Sequence, residues 1–480
     1  MRTLALVSMA GALIAAAAGA QTLPDLGGTE RTALSLAAER RLGDEIFQEI
    51  RRDPTYLGDP EINEYLGLLG ARLVAAGPGL PWEFEFFAMR DASVNAFAMP
   101  GGYIGINTGL IRLTESESEL ASVLAHEVSH VSQHHIARMI GNQQKMQIPG
   151  MVALAAAIIL AGSRPDLASA AVAASQAGAI QYQLNYTREF EQEADRVGFQ
   201  RLTVAGFDGN AMGAFFEKLQ RSQRVADDGT FPGYLRSHPV TTERIAESQN
   251  RASGKPYRQS LNNIDYFLVR AKLRAEDGDA KDAAEFFAGA LRDRRYANEA
   301  ATRYGLVVAR LRAGQASQAA DELPRLRGTG ANSPMIETLA ARVRQAGGDS
   351  AGALSDLRRA VERYPSRRSV VQAYATALLE AGRNEAAIVL LADKLKTFPR
   401  AANLHTLQAR AYESLGRRLL QHQALAEAYF IERALPAAIE QLEIAQRAGD
   451  GDFYQLSVVE ARLKQLRAER DAEARLGKRQ

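Results

Sequence analysis

Four of the chain's seven histidines lie in one short stretch, VLAHEVSHVSQHH at 123–135. Two of them flank a glutamate in the order His126-Glu127-x-x-His130. In a helix, side chains four residues apart lie one turn apart on the same face, so both imidazoles can bind one Zn²⁺ at about 2.0–2.1 Å. Glu127 lies beside the pair and is placed to accept a proton from water rather than to bind the metal. The competing interpretation is a group of surface histidines on a charged helix.

A catalytic zinc site needs a third protein ligand and an open position. The helix continues as VSQHH, without the glycine and third histidine of the metzincin pattern, and His134 lies a further turn away. A carboxylate from a second helix is the other solution, and EFEQEAD offers Glu191 with Asp195 one turn later. Asp195 is then placed to accept a hydrogen bond from a ligand histidine. On composition alone, Glu189 and Glu193 compete with Glu191 for the ligand role.

Sequence patterns also predict the elements that position these residues. Residues 29–77 have helical spacing, and PWEFEFFAM from Pro81 has the composition of a strand. The following segment is predicted to form two short strands separated by Pro100-Gly101-Gly102, which do not continue a strand ladder. Thr114 and Glu117 fit a capping box at the start of the helix that carries the HExxH motif.

The N-terminal sequence MRTLALVSMAGALIAAAAGA, residues 1–20, predicts export from the cytoplasm. One arginine precedes an apolar run that ends in small residues, which is the pattern of a cleaved secretory signal peptide. A membrane anchor is the alternative, although the run is short for a bilayer span. The chain contains no cysteine, which excludes disulfides, thiolate metal ligands, a cysteine nucleophile and a lipoprotein-type anchor. Together these features favour a bacterial periplasm.

Residues 148–180 form the most apolar internal segment. IPGMVALAAAIILAG is uniformly apolar, and an alanine-rich stretch follows a polar turn at 163–166. About fifteen apolar residues are fewer than the roughly twenty that a membrane helix needs. We therefore expect a buried helical hairpin, and a hairpin that faces a membrane or covers the active site is the alternative.

The pattern changes beyond about residue 262, where predicted helices follow one another with small residues between them. Gly278, Gly314, Gly348, Gly382 and Gly416 recur at intervals of 36, 34, 34 and 34 residues. A period of 34 with a turn glycine and small residues for close helix packing resembles the tetratricopeptide repeat. The degenerate end of the chain is expected to cap this solenoid with a helix pair set closer than the period.

The two metal-binding motifs together resemble the HtpX and CAAX-prenyl-protease family of zinc metallopeptidases. In this family HExxH is followed by E-x-x-A-D, which here begins at Glu191, 61 residues after His130. The resemblance implies that Glu191 is the third zinc ligand and that Asp195 is kept beside it. VNAFAMPGGYIGINTGLI also matches the family's strand pattern ahead of the active helix. Unlike the membrane-embedded members, this chain has no set of spanning helices, which favours a soluble protein substrate.

Two further segments gain candidate roles from this resemblance. Asn95-Ala96-Phe97 is expected on an edge strand beside the zinc, where an extended substrate can add through main-chain hydrogen bonds; a core strand is the alternative. Ser237-His238-Pro239 is expected to begin a helix that carries Arg244. His238 is a candidate to fill the open zinc position and hold the enzyme inactive, and a purely structural histidine is the alternative. Arg244 is a candidate to hold the substrate carbonyl or a transition-state oxyanion.

The sequence thus predicts a mainly α protein with a signal peptide at 1–20. A zincin metallopeptidase domain of helices and a small β-sheet follows at 21–255, and an α-solenoid of tetratricopeptide repeats at 262–480. The layout is similar to that of periplasmic family members that act as both protease and chaperone. This implies a metalloendopeptidase with one Zn²⁺ per chain, in quality control and assembly of outer-membrane β-barrel proteins. A repeat-based chaperone or adaptor with latent proteolysis is the alternative.

The expected partners are protein substrates. The resemblance implies misfolded or stalled outer-membrane proteins and their assembly machinery, bound through the repeat domain. Segment 148–180 is a candidate for peripheral membrane contact. The formal net charge of +2 gives no reason to expect nucleic acid.

Overall fold

The computed structural model describes residues 35–78, 83–141, 188–225, 233–253 and 260–477. These residues are mainly helical with one small sheet, which confirms the predicted fold class. The predicted signal peptide at 1–20 and the predicted apolar hairpin at 148–180 lie outside the described residues. Within the described ranges, none of the helices is both long enough and apolar enough to cross a bilayer.

The N-terminal half combines helices with a four-stranded sheet. Its described helices are α1 (Leu36–Arg52), α2 (Pro60–Ala75), α3 (Thr108–Leu113), α4 (Glu117–Ser132), α5 (His135–Gly141), α6 (Arg188–Val204), α7 (Asn210–Val225), α8 (Gly233–Ser237) and α9 (Thr242–Ser253). Its strands are β1 (Tyr56–Leu57), β2 (Glu85–Met89), β3 (Ala96–Met99) and β4 (Tyr103–Asn107). The described part of the segment predicted to be helical, residues 35–77, thus contains two helices with β1 between them, and the strand predicted from Pro81 is β2.

The sheet has the strand order β1-β2-β4-β3, so β3 is an edge strand. β2 and β4 run parallel, whereas β3 and β4 form an antiparallel pair with Ala98 opposite Ile104. β3 and β4 are joined by one 3-10 turn, Pro100–Gly102, which is the Pro-Gly-Gly break that the sequence predicted. Gly101 and Gly102 have φ values of 75° and 96°, which glycine adopts without the steric cost of a Cβ atom. This tight return lays β3 against α4, the helix of the HExxH motif.

Helix α4 is capped by Ser116 rather than by Thr114. Ser116 Oγ accepts a hydrogen bond from the Glu119 N–H at 3.1 Å, and the Glu119 carboxylate reaches back to the backbone just before the helix. Thr114 instead ends α3. The expected capping box of Thr114 and Glu117 is therefore wrong, because Ser116 and Glu119 carry the same pattern two residues later and satisfy the first N–H groups.

The C-terminal half is a series of helix pairs. They are α10 (Ile264–Ala275), α11 (Ala280–Arg292), α12 (Glu299–Arg312), α13 (Ala316–Gly328), α14 (Pro334–Ala346), α15 (Ser350–Arg363), α16 (Arg368–Glu380), α17 (Asn384–Thr397), α18 (Ala402–Ser414), α19 (Arg418–Ile431), α20 (Leu435–Gln446) and α21 (Phe453–Gly477). All five glycines of the predicted repeat lie at turns within pairs, with φ between 65° and 85°. Gly449 repeats this conformation 33 residues after Gly416. The last helix pair therefore keeps nearly the same period. The expectation from the sequence that this pair is set closer than the period is wrong.

The two halves share one hydrophobic core, which runs from α2 and the sheet through α4 into the early repeats. Polar contacts follow the same surface, because the first helices of three repeat pairs converge on α2. Lys272 of α10 and Thr338 of α14 both bond to Glu61, and Ser369 of α16 bonds to Glu64. This side of the solenoid is therefore covered by the N-terminal half itself.

Candidate metal centre

Four buried side chains converge between α4, α6 and the segment that follows α8. They are His126 and His130 of α4, Glu191 of α6, and His238. Their ligand-type atoms all lie within 4.8 Å of one another, and none of the four residues is more than 2% exposed. The fold thus brings together all four residues that the sequence suggested as metal ligands.

The distances within this cluster suit a tetrahedral metal ion. His126 Nε2 lies 2.9 Å from His130 Nε2 and 3.3 Å from His238 Nδ1. Glu191 Oε1 lies 3.3 Å from His130 Nε2. Bonds of about 2.0–2.1 Å to a tetrahedral zinc ion would place the ligand atoms about 3.3 Å apart. Imidazole and carboxylate donors in this number are also a set that zinc accepts readily.

A glycine allows α6 to approach α4 closely enough to complete the cluster. A Cβ atom on Gly198 would lie only 3.1 Å from the backbone nitrogen of His126 and 3.2 Å from the carbonyl oxygen of Ala125. Because the two backbones pass so near each other, the short side chains of Glu191 and Asp195 can reach the histidines of α4. Their spacing of four residues puts both carboxylates on the face of α6 that meets α4.

The side of His126 that faces away from the cluster is held by a carboxylate. His126 Nδ1 lies 2.9 Å from Asp195 Oδ1. Arg244 donates to both Asp195 oxygens, from Nε at 2.7 Å and from Nη2 at 2.8 Å, and its Nη1 lies 2.8 Å from Glu191 Oε2. Asp195 therefore lies where the sequence predicted it, behind a histidine whose ring orientation it can fix.

Behind His130 lies a histidine that the sequence did not single out. His130 Nδ1 is 2.9 Å from His135 Nδ1, and His135 Nε2 is 3.1 Å from Glu193 Oε2. Arg138 Nη1 donates to the same Glu193 oxygen at 3.0 Å. The spacing of five residues from His130 was visible in the sequence, but in a continuous helix it points to a different face. A break at His134 makes the contact possible.

Glu127 is completely buried beside the cluster. Its Oε1 lies 3.6 Å from His238 Nε2, and neither oxygen has a partner in normal hydrogen-bond geometry among the described residues. Burial raises the pKa of Glu127 above its ordinary value, and the His238 ring and the backbone N–H of Ala98 oppose this effect. A buried carboxylate with a raised pKa and no fixed partner is suited to proton transfer.

The electrostatics of the cluster favour a positive charge at its centre. Burial opposes ionisation of Glu191, but His238, Arg244 and His126 together hold its pKa well below the ordinary value. Burial also opposes a charge on His126, yet the Glu191 and Asp195 carboxylates outweigh it and raise the His126 pKa to about 10. Burial lowers the pKa of His130 well below its ordinary value. The ionised carboxylates of Glu191 and Asp195 thus provide negative charge that suits a divalent cation at the cluster.

The residues that the sequence left as alternative ligands lie elsewhere. Glu189 is exposed, and Glu193 is engaged behind the cluster rather than in it. His134 Nδ1 lies 2.9 Å from Glu39 Oε2 on α1. Glu191 is therefore the carboxylate of α6 that the fold brings to the two histidines of the HExxH motif.

The substrate-binding roles suggested for two other regions stay predictions. The Arg244 guanidinium is only 4% exposed and is engaged by Asp195, Glu191 and the carbonyl oxygen of Pro239 at 2.7 Å. It therefore supports the carboxylates rather than presenting free donors to a substrate.

Tyr234, which the sequence analysis missed, stacks on His238 with 4.7 Å between ring centroids.

The edge strand expected at Asn95-Ala96-Phe97 coincides with the start of β3. Ala96 pairs with Ile106 of β4, and Asn107 N–H donates to the Asn95 carbonyl at 2.9 Å. The main chain just before the strand is met by Tyr234, whose N–H donates to the Val94 carbonyl at 2.9 Å. The strand therefore has one side on the sheet and a segment of the His238 region against its N-terminal end.

Comparison with known proteins shows which family the chain belongs to. Residues 63–252 match peptidase family M48. A beta-barrel assembly-enhancing protease of Escherichia coli (strain K12) is 30% identical over 455 residues, which cover 93% of this chain and 92% of that protein. The chain belongs to peptidase family M48. It is a metallopeptidase, as the sequence predicted, and its buried cluster of three histidines and a glutamate could bind the metal ion.

Other relatives of this M48 peptidase match shorter stretches. A putative beta-barrel assembly-enhancing protease of Vibrio cholerae is 41% identical over 268 residues, and the chain spans about half of its length, 55%. The mitochondrial metalloendopeptidase OMA1 of Schizosaccharomyces pombe is 26% identical over 225 residues, covering 44% of this chain and 60% of that one. A solved structure of YrrB, a TPR protein with an unusual peptide-binding site, covers 37% of this chain and 91% of that chain at 18% identity. The two structures superpose with a TM-score of 0.28.

Proposed function

We propose that this M48 peptidase is a periplasmic zinc metalloendopeptidase that also acts as a chaperone in quality control and assembly of outer-membrane β-barrel proteins. The observation that carries the proposal is the nearly full-length similarity to the Escherichia coli beta-barrel assembly-enhancing protease, in a chain with a buried His₂Glu cluster. The predicted signal peptide at 1–20 supports a periplasmic location. Misfolded or stalled outer-membrane proteins are the proposed substrates.

In the proposed mechanism, His126, His130 and Glu191 hold the zinc. Zinc, when bound, supplies the Lewis acidity that activates water and polarises the scissile carbonyl. Glu127 accepts the proton of the attacking water and returns it to the leaving amine, a role that suits its burial and its raised pKa. Asp195 holds His126 in the tautomer that binds metal, and Arg244 holds Asp195 and Glu191 in place.

The segment around β3 is the proposed substrate-binding edge. A peptide that adds beside Asn95-Ala96-Phe97 would pass close to α4, the helix that carries Glu127, because β3 packs against α4. Unfolded β-barrel proteins expose extended strands, which suits recognition by strand addition. Arg244, being engaged by carboxylates, would contact the substrate only after a rearrangement.

We propose that His238 inhibits the resting enzyme. Its Nδ1 lies 2.9 Å from Glu191 Oε1 and 3.3 Å from His126 Nε2, so it shares the cluster with the three proposed ligands. A fourth protein ligand would occupy the position that water or a substrate needs. This arrangement also favours the second candidate function, a repeat-based periplasmic chaperone or adaptor in which proteolysis is latent.

Contact with the assembly machinery would use the repeats, and peripheral membrane contact would use 148–180.

A Glu127→Gln variant separates the enzyme from the chaperone. We expect it to keep about one zinc per chain and to lose cleavage of casein by about 10²- to 10⁴-fold, since it keeps the volume but not the base. Glu45→Gln, an exposed change on α1, is the matched control and should retain activity. In a strain that lacks the protein, full restoration of the outer-membrane permeability barrier by Glu127→Gln would favour the chaperone as the main function.

A second variant tests the proposed inhibition by His238. His238→Ala should retain zinc through the three remaining ligands and cleave casein faster than the parent. Equal zinc content with equal or lower activity would mean that His238 does not restrain the enzyme. A well-folded parent that binds no zinc would overturn the metallopeptidase mechanism itself.

A further inference from the structure

The two histidines of the HExxH motif are supported in different ways on the sides that face away from the cluster. His126 meets a carboxylate directly, with 2.9 Å between its Nδ1 and Asp195 Oδ1. His130 meets another imidazole first, with 2.9 Å between its Nδ1 and His135 Nδ1, and the carboxylate of Glu193 comes after it. The HExxH spacing and the E-x-x-A-D pattern account for the first support but not for the second.

We propose that His135 is a positioning residue that fixes the ring orientation and tautomer of the zinc ligand His130 and connects it to Glu193. The inference rests on the proposed function in so far as His130 binds zinc. His135 does not itself enter the metal-binding cluster, because both of its ring nitrogens are engaged elsewhere, one with His130 and one with Glu193.

The direction of the hydrogen bonds follows from the requirement that His130 Nε2 face the metal with a lone pair. The proton of a neutral His130 is then on Nδ1, which donates to His135 Nδ1. His135 carries its own proton on Nε2 and donates it to Glu193 Oε2, 3.1 Å away. Both imidazoles are neutral in this chain of bonds, and its only anion lies at the outer end. Arg138 balances that anion at 3.0 Å from the same oxygen.

A backbone irregularity makes this contact possible. Helix α4 ends at Ser132, and His134 adopts a φ of 53°, which is uncommon for a residue other than glycine. Glu39 of α1 contacts the His134 ring at 2.9 Å and so holds this turn from outside. The chain then restarts as α5 with His135 as its first residue, which returns the ring toward His130. Strain of this kind is commonly found at functional sites, where the surroundings hold it.

The ring of His135 is also fixed from its faces. It is completely buried and stacks on Phe190 with 4.5 Å between centroids and an angle of 8° between the rings. The guanidinium of Arg138 lies over the same Phe190 ring at 4.5 Å. Phe190 immediately precedes Glu191, so one helix supplies a zinc ligand, the stacking partner and the terminal carboxylate. A ring held on its face and at both nitrogens can hold another ring in turn.

The experiment measures zinc affinity by competition with a chromophoric chelator, and geometry by the visible spectrum of the Co²⁺-loaded protein. We compare the parent with His135→Leu, which removes both hydrogen bonds, and His135→Gln, whose amide can accept from His130 and donate to Glu193. His422→Gln, a half-buried histidine of the repeats bonded to Gln441 at 2.8 Å, is the control.

We expect His135→Leu to bind zinc about 10- to 100-fold more weakly and to shift the Co²⁺ spectrum, because His130 loses its orienting partner. His135→Gln should recover most of the affinity and the parent spectrum, and His422→Gln should match the parent. Parent-like affinity and spectrum in His135→Leu would overturn the inference and leave His135 as a packing residue. Equal losses in His135→Leu and His135→Gln would also overturn it, since the hydrogen bonds would then not matter.

A second variant keeps the test decisive if His135→Leu fails to fold. Glu193→Gln changes a partly exposed residue at the outer end of the chain of bonds, so it should fold and weaken zinc binding by a smaller factor. Parent-like binding in that variant, with His135→Leu unfolded, counts against the proposed chain. A folded parent that binds no zinc overturns the proposed function and this inference with it, whereas a zinc-binding parent with unaffected variants overturns only the inference.

Discussion

Two of the regions in which the described residues bury charge are the candidate metal centre and the surface between the two halves. At the metal centre, Glu127 has no normal hydrogen-bond partner for either oxygen, and Glu191 Oε2 contacts Arg244 outside hydrogen-bond geometry. Between the halves, Glu61 and Glu64 are bonded to donors from the repeats, among them Lys272 and the Ser369 hydroxyl. Carboxylate oxygens at the metal centre thus lack hydrogen-bond donors, whereas those between the halves have them.

The difference distinguishes a site prepared for a ligand from one that joins two parts of the chain. A buried carboxylate without partners is costly, and it persists in a native protein when a metal, a proton or a substrate completes it. The interface carboxylates need nothing further, because Lys272 lies 2.5 Å from Asp59 and 2.7 Å from Glu61, and Arg367 bridges Glu64 and Asp265.

The largest effect on stability is expected from Lys272→Met at the interface. The side chain of Lys272 is 4% exposed, so its loss leaves the buried Glu61 and the partly buried Asp59 without this counterion. Removing one partner of a buried pair costs about 3–5 kcal/mol. We expect urea unfolding to give a loss of this size in the presence and in the absence of zinc. Lys281→Met, at an exposed position of α11, is the control and should change stability little.

Zinc removal is expected to have a comparable but concentration-dependent effect. Zinc at 1,000 times its Kd should stabilise the native protein by about 4 kcal/mol, since it binds the folded cluster. The gain should be the same in Lys272→Met as in the parent, because the two charged regions share no side-chain contact among the described residues. Thermal unfolding with and without a chelator measures both, and strong non-additivity would show that the regions are coupled.

Arg244→Lys is expected to cost less than either change, but at the metal centre alone. The ammonium keeps the charge yet cannot bond to both oxygens of Asp195 while reaching Glu191, as the planar guanidinium does. We expect a loss of about 1.5–3 kcal/mol, together with weaker zinc binding. Chelator competition and urea unfolding check the two effects, and unchanged zinc affinity would mean that Arg244 supports the fold and not the cluster.

The smallest effect is expected from Asp277→Asn. Asp277 pairs with Arg112 across the two halves at 2.6 Å, but the side chains are 50% and 27% exposed. Pairs of this exposure contribute about 0–1 kcal/mol because water and salt screen them. Urea unfolding in low and high salt should therefore hardly distinguish the variant from the parent. A loss as large as that of Lys272→Met would mean that burial does not decide the strength of these contacts.

Much of the molecule could be predicted from local patterns. The helical positions of His126, Glu127 and His130, and the glycine turns of the repeats, follow from spacing along the chain. The capping box was misplaced because two overlapping patterns, at Thr114 and Ser116, fit the same rule and only the backbone geometry selects one. His135 was missed because helical periodicity places it on another face, and the irregular φ of His134 has no reliable signature in one sequence.

The sequence by itself determined which residues could bind metal and where the repeats turn, since both depend on periods within single elements. Composition left Glu189, Glu191 and Glu193 open and the family resemblance implied Glu191; the tertiary structure supplies the physical reason, because the choice depends on how α6 crosses α4 at Gly198. The same holds for the contact of α2 with the repeats. Residues far apart in the chain meet through helix crossings, and a crossing is set by the packing of whole elements rather than by any local pattern.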